Sequence, residues 1–195
     1  MQTGTIAIPS WIVTAWLLLI SINGWTLELE VVLSNVAVTP PSRIGFVEQR
    51  HNRLLKEPLV LTGYLEYVQT GQLRKVIETP FAEDFFITED FIEINRDGKT
   101  RRLSLHKSKP MKAMFGGIEA ILAGQVEELA ALFRYELSGT IEAWSLRMEP
   151  LSDSIARHLT VMLVEGDGDS ANSIRLELKD GEWSLMEFME TVPKQ

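Results

Sequence analysis

Residues 42–79 read SRIGFVEQRHNRLLKEPLVLTGYLEYVQTGQLRKVIET and carry the clearest fold signal of the chain. This segment predicts three successive strands, at Ser42 to Arg53, Leu59 to Val68 and Gln72 to Thr79. The last two are separated by Thr70-Gly71, which is a hairpin signal at short spacing. Because short hairpins join antiparallel neighbours, we expect these strands to form a meander.

Strand signals continue after this segment. Three are predicted at Asp84 to Thr88, Phe91 to Asn95 and Thr100 to Leu105, the last two joined through Asp97-Gly98. Five more are predicted at Phe133 to Ser138, Ile141 to Met148, Ala156 to Glu165, Ser173 to Lys179 and Glu182 to Thr191. A single sheet of about eleven strands must curl, split or close on itself. We expect curling, which leaves a concave apolar face for short helices to cover.

Helical spacing precedes the sheet and interrupts it. The first predicted helix is capped by Thr26 and ended by Pro40-Pro41. Its apolar stripe consists of Leu29, Val32, Leu33 and Val36. After the sixth strand a second helix is predicted, with an apolar stripe at i, i+3, i+4 and i+7 formed by Met111, Met114, Phe115 and Ile118. This helix ends at Gly124, and a short helix at Val126 to Leu132 follows it. We interpret this second stripe as a lid, because methionine is flexible and repacks around irregular partners. The same spacing is also expected of methionines that only fill a core.

Composition limits the classes of function. The chain has 195 residues, of which 45% are hydrophobic, enough for one cored domain. Its net charge is −8, and no basic cluster is interleaved with aromatic residues, which argues against a nucleic-acid or anionic-membrane surface. The chain has no cysteine, so disulfides, thiolate metal sites and a cysteine nucleophile are excluded.

No catalytic pattern is present. The three histidines, His51, His106 and His158, lack the spacing of a metal site, and the chain has neither a G-x-S-x-G elbow nor a phosphate-binding glycine loop. Asp167 and Asp169 are better interpreted as part of a hairpin turn than as a calcium loop. We therefore predict a protein that is not an enzyme, with no catalytic residues, no metal and no cofactor.

The N-terminus resembles an export signal. No charged residue occurs before Glu28, and Trp11 to Ile22 is almost wholly apolar. We predict a signal peptide at residues 1–24 and a single domain at residues 25–195. An uncleaved anchor is the alternative, since Ile6 to Leu27 would make a marginal span against the roughly 20 apolar residues that a bilayer requires.

Short motifs follow one another in a recognisable order. They are Phe46-x-x-Gln49, Gly63-x-Leu65, Leu73, Glu78-x-Pro80, Phe86-Ile87-Thr88, Leu122-Ala123-Gly124-Gln125 and Gly139 to Leu146. This order resembles the LolA outer-membrane lipoprotein carriers, most closely their divergent LolA-related branch. The resemblance covers roughly Leu27 to Glu190.

The resemblance implies a mainly β fold with a helical lid, built as an unclosed β-barrel of strongly curved antiparallel sheet. It implies a periplasmic carrier that binds the acyl chains of lipoproteins or another envelope lipid. Such a carrier would take its cargo from an inner-membrane release complex or exporter to an outer-membrane receptor, and we expect it to act as a monomer. In the general carriers an arginine near the end of the second strand latches the lid, and here that place falls near Gln69.

The candidate site is an apolar cavity under the lid. Its predicted lining residues are Phe46, Leu61, Leu65, Leu73, Phe86, Phe133, Tyr135, Leu137, Trp144, Leu146, Met148, Leu159 and Val161, and its predicted lid residues are Met111, Met114, Phe115 and Ile118. Three alternatives stay open at this point. They are a receptor of the sister type or an accessory protein of a dedicated exporter, a small envelope hydrolase, and a scaffold with a filled interior.

Overall fold

Eleven strands form one antiparallel sheet in the computed structural model, which describes residues 27–189. The strands are β1 (Ser42–His51), β2 (Leu59–Gln69), β3 (Gln72–Thr79), β4 (Glu83–Thr88), β5 (Phe91–Arg96), β6 (Lys99–Ser104), β7 (Phe133–Thr140), β8 (Ala143–Pro150), β9 (Leu159–Asp167), β10 (Ser170–Leu178) and β11 (Trp183–Met189). Their order across the sheet is β6-β5-β4-β3-β2-β1-β11-β10-β9-β8-β7. The strands β6 and β7 are therefore open edges, and the predicted unclosed antiparallel sheet is confirmed.

Two meanders meet at the pair β1–β11. The strands β1 to β6 run in chain order from the middle of the sheet to one edge, and β11 to β7 run in reverse order to the other. In the central pair Phe46 lies opposite Phe188, and Glu48 lies opposite Met186. Because directly opposed residues of antiparallel strands point to the same face, this pairing carries one inner face across both meanders.

Tight turns hold the predicted hairpins. Gly71 has φ +75° between β2 and β3, while Asp97 and Gly98 have φ +50° and +72° between β5 and β6. Positive φ at both central residues, as at Asp97-Gly98, is the geometry of a type I′ turn, whose twist matches that of the strands it joins. The pairs β2–β3 and β5–β6 are both antiparallel, which confirms both hairpin predictions.

The helices lie on the inner face of the sheet. They are α1 (Leu29–Val36), α2 (Lys109–Leu122), α3 (Val126–Leu132) and α4 (Asp153–Ala156), with a 3-10 turn at Leu105–Lys107 before α2. All four residues of the predicted α1 stripe are buried. Gly124, with φ +69°, ends α2 as predicted, and the Gln125 amide donates to the Ala120 carbonyl at 2.8 Å. Within residues 27–189, no helix is long and apolar enough to cross a membrane.

The strand boundaries of the structure differ from the predicted ones by up to three residues, as at β10, which begins at Ser170 rather than Ser173. The strand predicted at Ala156 to Glu165 begins at Leu159, because the residues before it form α4. The strand predicted from Ile141 begins at Ala143, since Thr140 pairs with Ala143 and the two residues between them form the turn. The predicted signal peptide and the Thr26 cap lie outside the described residues.

The largest core cluster lies between β7–β10 and the helices. Leu33 of α1, Leu129 of α3, and Leu146 and Val164 of the sheet are exposed by 1% or less. Smaller clusters lie under the other strands, one around Phe46 and two further residues of β2 and β3, and one around Tyr67, Leu73 and Phe115. The inner face is thus packed solidly at one end and less completely at the other.

Candidate functional site

A cavity of about 390 Å³ lies between α2 and the inner face of the sheet. This volume falls in the range of roughly 300–1,000 Å³ typical of small-molecule sites. Its roof is the predicted lid stripe: Met111, Met114, Phe115 and Ile118. Its floor is apolar and comes from six strands: Leu65, Leu73, Ile87, Ile92, Ile174, Leu176, Leu178 and Met186. We call this the first cavity.

A second cavity, of about 430 Å³, adjoins the first. Four residues line both: Leu65, Leu73, Ile118 and Ile174. From there the second cavity extends toward Val38 before β1 and Ser170 at the start of β10. The space beneath α2 therefore continues along the inner face on both sides of Ile118.

One end of the first cavity is polar. The residues there are Glu48, Arg50, His51, Asn52, Lys75, Glu182, Trp183 and Ser184. Glu48 is only 2% exposed and accepts hydrogen bonds from Lys75, from Arg50 at 3.0 Å through Nη2, and from the Ser184 hydroxyl at 2.6 Å. The Lys75 ammonium also lies 5.0 Å from the centre of the Phe46 ring. We call Glu48, Arg50, Lys75 and Ser184 the charged cluster.

The charged cluster holds Glu48 in its ionised form. Burial alone would raise the pKa of the Glu48 carboxyl, but the positive charges of Lys75 and Arg50 and the hydrogen bonds from Lys75 and Ser184 hold that pKa below its ordinary value. Glu48 is therefore a carboxylate at neutral pH, and at the end of an otherwise apolar hollow it pairs with Lys75, whose own pKa is lowered by burial.

A second polar contact ties α2 to the sheet. One side-chain oxygen of Glu119 accepts the Tyr67 hydroxyl at 3.0 Å and the Gly71 amide at 2.7 Å. Burial raises the pKa of Tyr67, so its phenol stays protonated and donates. The other Glu119 oxygen is buried without a hydrogen-bond partner in the part of the chain described. We call this contact the Glu119 clasp.

The Glu119 clasp lies at the end of β2, where the resemblance placed a latching arginine. The helix supplies the acceptor and the β2–β3 hairpin supplies the donors, so Tyr67 and Gly71 make this contact rather than Gln69. Arg74, the next arginine along the chain, lies on the outer face and pairs with Asp84 at 2.5 Å. It takes no part in holding α2.

The structure brings together only part of the predicted site. Leu65, Leu73 and the four lid residues line the cavities. Phe46 and Leu61 are fully buried in a cluster beside the first cavity and do not line it. Most of the remaining predictions belong to the packed core under α1 and α3: Phe133, Leu137, Trp144, Leu146, Met148 and Leu159. Tyr135, opposite Met148 on the edge strand β7, is 40% exposed.

Two predicted lining residues lie in the wrong frame. Phe86 pairs with Arg74 and Glu93 on the outer face, since Ile87, opposite Leu73, is the inward residue of β4. Val161 is buried but pairs with Glu177, on the face opposite to its neighbour Met162, and the register shift that follows places Leu159 rather than Val161 in the main core cluster. Neither residue lines either cavity, so the structure corrects both predictions.

The sequence analysis missed the charged cluster and the contribution of β10 and β11. A signal for the cluster was present, because Glu48 follows Phe46 by two residues and Lys75 follows Leu73 by two, which places each on the inward frame of its strand. The share of β10 and β11 depends on their pairing with β1 and β9, which no local pattern encodes. Within residues 27–189, no group of three or more His, Cys, Asp or Glu side chains is placed to hold a metal ion.

A family model described as outer membrane lipoprotein carrier protein LolA-like matches residues 23–186. A LolA superfamily protein of Nitrosomonas europaea is similar in structure, with 9% identity, coverage of 85% of this chain and 93% of that chain, and a TM-score of 0.45. A DUF1329 family protein of Desulfovibrio piger gives 12% identity, 86% and 92% coverage, and a TM-score of 0.48. The lipoprotein LppX of Mycobacterium tuberculosis is also similar in structure. It has 7% identity, coverage of 86% of this chain and 97% of that chain, and a TM-score of 0.41. No curated protein matches the chain.

Proposed function

We propose, since the chain belongs to the family of LolA-like outer membrane lipoprotein carrier proteins, that it binds an acyl chain of a lipoprotein or of another envelope lipid beneath α2. The observation that carries the proposal is the apolar first cavity, roofed by a single helix and floored by strand side chains. Transfer of a hydrocarbon chain from water into a hollow with such walls lowers the free energy. The proposed function is binding and transfer, and it involves no chemical step.

The energies of lid and ligand are comparable. Each acyl CH₂ removed from water contributes about 0.8 kcal/mol. Each apolar lid side chain contributes on the order of 1.5–3 kcal/mol when it is buried. One long acyl chain therefore rivals the lid for the same inner face, and loading is coupled to movement of α2.

We further propose a place in the cell envelope for this activity. The carrier would act in the periplasm as a monomer, receive lipid from an inner-membrane release complex or exporter, and deliver it to an outer-membrane receptor. Membership of the carrier family supports this direction of transport. Delivery requires only that the acceptor binds the lipid more tightly, because a ligand shifts an equilibrium by its difference in affinity.

Substitution of the lid tests the proposed function. Phe115, which is 7% exposed and lines the first cavity, is changed to aspartate in the full chain, and binding of a fluorescent fatty acyl probe is titrated. We expect the affinity to fall at least tenfold, because a carboxylate then borders the hydrocarbon. The matched control is Lys112→Asp, which introduces the same side chain on an exposed position of the same helix. Equal affinities of the two folded variants would remove α2 from the binding site.

A further inference from the structure

The charged cluster is unexpected in a cavity that only has to hold hydrocarbon. Burying charges in an apolar environment is unfavourable unless they are paired, and a pair of this kind is often replaceable by apolar residues without loss of stability. Glu48, Lys75 and Arg50 nevertheless occupy the inward frames of β1 and β3 beside Phe46 and Leu73. Their position at one end of the first cavity makes the cavity amphiphilic.

The hydrogen-bonding capacity of the cluster is unbalanced. Both oxygens of Glu48 are occupied, one by Arg50 and Ser184 and the other by Lys75. Lys75 has three N–H donors and Arg50 has five. Within the described chain Lys75 bonds only to Glu48, and Arg50 bonds to it through Nε and one terminal nitrogen. The cluster therefore has several spare donors, whereas its spare acceptor capacity is limited to the buried Glu48 Oε2 and the Ser184 hydroxyl.

Exposure increases along the cluster. The exposed fraction of the side chain is 3% for Glu48, 16% for Lys75 and 41% for Arg50. Glu182 lines the same end but forms no ion pair with Lys75 or Arg50 within residues 27–189. The spare donors thus lie between the solvent and the apolar floor, where the polar head of a bound amphiphile would remain.

We infer that the first cavity binds a single-chain amphiphile whose head group carries an anionic oxygen, a carboxylate or a phosphate monoester, and that Lys75 and Arg50 donate to that head. The hydrocarbon chain lies between the lid stripe and the floor, beside Leu73 and Ile87. This inference rests on the proposed function and adds to it the class and the orientation of the ligand. A cationic head is disfavoured, because Lys75 and Arg50 repel it and both oxygens of Glu48 already accept from these two cations.

The test uses four ligands of equal chain length that differ only in the head: a fatty acid, an alkyl phosphate, a fatty alcohol and an alkylammonium. Each displaces a fluorescent acyl probe from the full-length protein at neutral pH. Because hydrogen bonds to charged groups are the strong ones, we expect at least one anionic ligand to bind about tenfold or more tightly than the alcohol. The better of the two anionic ligands distinguishes a fatty acid from a phosphate-bearing lipid as the source of the head.

Variants separate the head site from the hydrocarbon site. The triple change Glu48→Gln, Arg50→Met and Lys75→Met removes the carboxylate together with both cations that pair with it, so no charge of the cluster is left unpaired. We expect it to reduce the preference for the anionic ligands over the alcohol to about twofold or less, while the alcohol still displaces the probe. The control is Arg74→Met, which removes the adjacent cation of β3 from the outer face and should keep the full preference.

The possible results distinguish this inference from the proposed function. If all four ligands bind equally, or the alkylammonium binds best, the head site is overturned and the acyl-binding proposal stands. An anionic preference that survives in the triple variant also overturns it. If no ligand displaces the probe and the probe itself does not bind, the proposed function fails, and the head site fails with it.

Discussion

The helices cover the two ends of the antiparallel sheet in different ways. At the β7–β10 end, Leu33 of α1 and Leu129 of α3 share one buried cluster with Leu146 and Met162, all exposed by 1% or less. At the other end, under α2, the strands β1–β5 line hollows of about 390 and 430 Å³ together with residues of β10 and β11. We call these the packed end and the hollow end. The same inner face thus serves as a core in one place and as a container in the other.

The difference follows from how α2 is supported. The helix packs against α3, α4, α1 and the 3-10 turn, which are its main partners. Its side-chain hydrogen bonds to the sheet within residues 27–189 are those of the Glu119 clasp. A helix supported by other helices does not have to settle onto the strands beneath it, so a hollow survives under the lid stripe. The packed end, in contrast, supplies the stability that the hollow end lacks.

The largest expected effect is a difference in the free energy of unfolding between leucine-to-alanine variants at the two ends. Leu146→Ala, at the packed end, should lower the free energy of unfolding by about 2–5 kcal/mol, because it leaves a cavity in a filled core. Leu65→Ala, at the hollow end, should lower it by about 1 kcal/mol or less, because Leu65 already borders empty space on both sides. Urea denaturation measures both values.

In ligand binding the order of the two leucine variants should be reversed, with the larger effect at Leu65. Leu65→Ala is expected to weaken binding of the fluorescent acyl probe, whereas folded Leu146→Ala should bind it as the wild type does. Similar losses of stability in both variants would mean that the hollow closes in solution, and the division into two ends would be withdrawn.

The sequence predicted the fold better than it predicted which end is hollow. Hairpin signals such as Thr70-Gly71 and Asp97-Gly98 are local, so they set the meander correctly. The frame of a strand is lost where apolar residues are consecutive, as in Phe85-Phe86-Ile87, since alternation then does not identify the inward residue. For the same reason Arg74 and Lys75 look alike in sequence, although one lies outside and the other inside.

The packed and hollow ends could not be separated from sequence at all. The apolar residues of β7 and β8, such as Phe133 and Leu146, alternate as regularly as those of β2 and β3. What differs is the helix above them. Whether α1, α2 or α3 lies over a given strand depends on tertiary packing, so a lid stripe and a core stripe have the same pattern along the chain.

The second expected effect concerns the Glu119 clasp. Glu119→Ala leaves the Tyr67 hydroxyl and the Gly71 amide without their acceptor, which should cost about 1–3 kcal/mol of folding stability. Because these bonds join α2 to the hollow end, we also expect the acyl probe to associate faster. Stopped-flow fluorescence measures the association rate. Tyr67→Phe removes one of the two bonds and should give a smaller change in the same direction, whereas an unchanged rate in both variants would mean that the clasp does not limit opening.

The smallest expected effect is the response of the two ends to acid. Glu48 has a pKa below its ordinary value of 4.5, so it stabilises the fold above that pH, and this stabilisation is lost as the pH falls through the lowered pKa. As the pH falls below 4.5, the wild type should therefore lose more stability than the Glu48→Gln, Lys75→Met variant. Amide hydrogen exchange locates the loss, since β1 and β3 carry the charged cluster and β8 and β9 do not. We expect protection to decline first in β1 and β3. An equal decline at both ends, with the same slope in the double variant, would show that the charged cluster does not make the hollow end sensitive to pH.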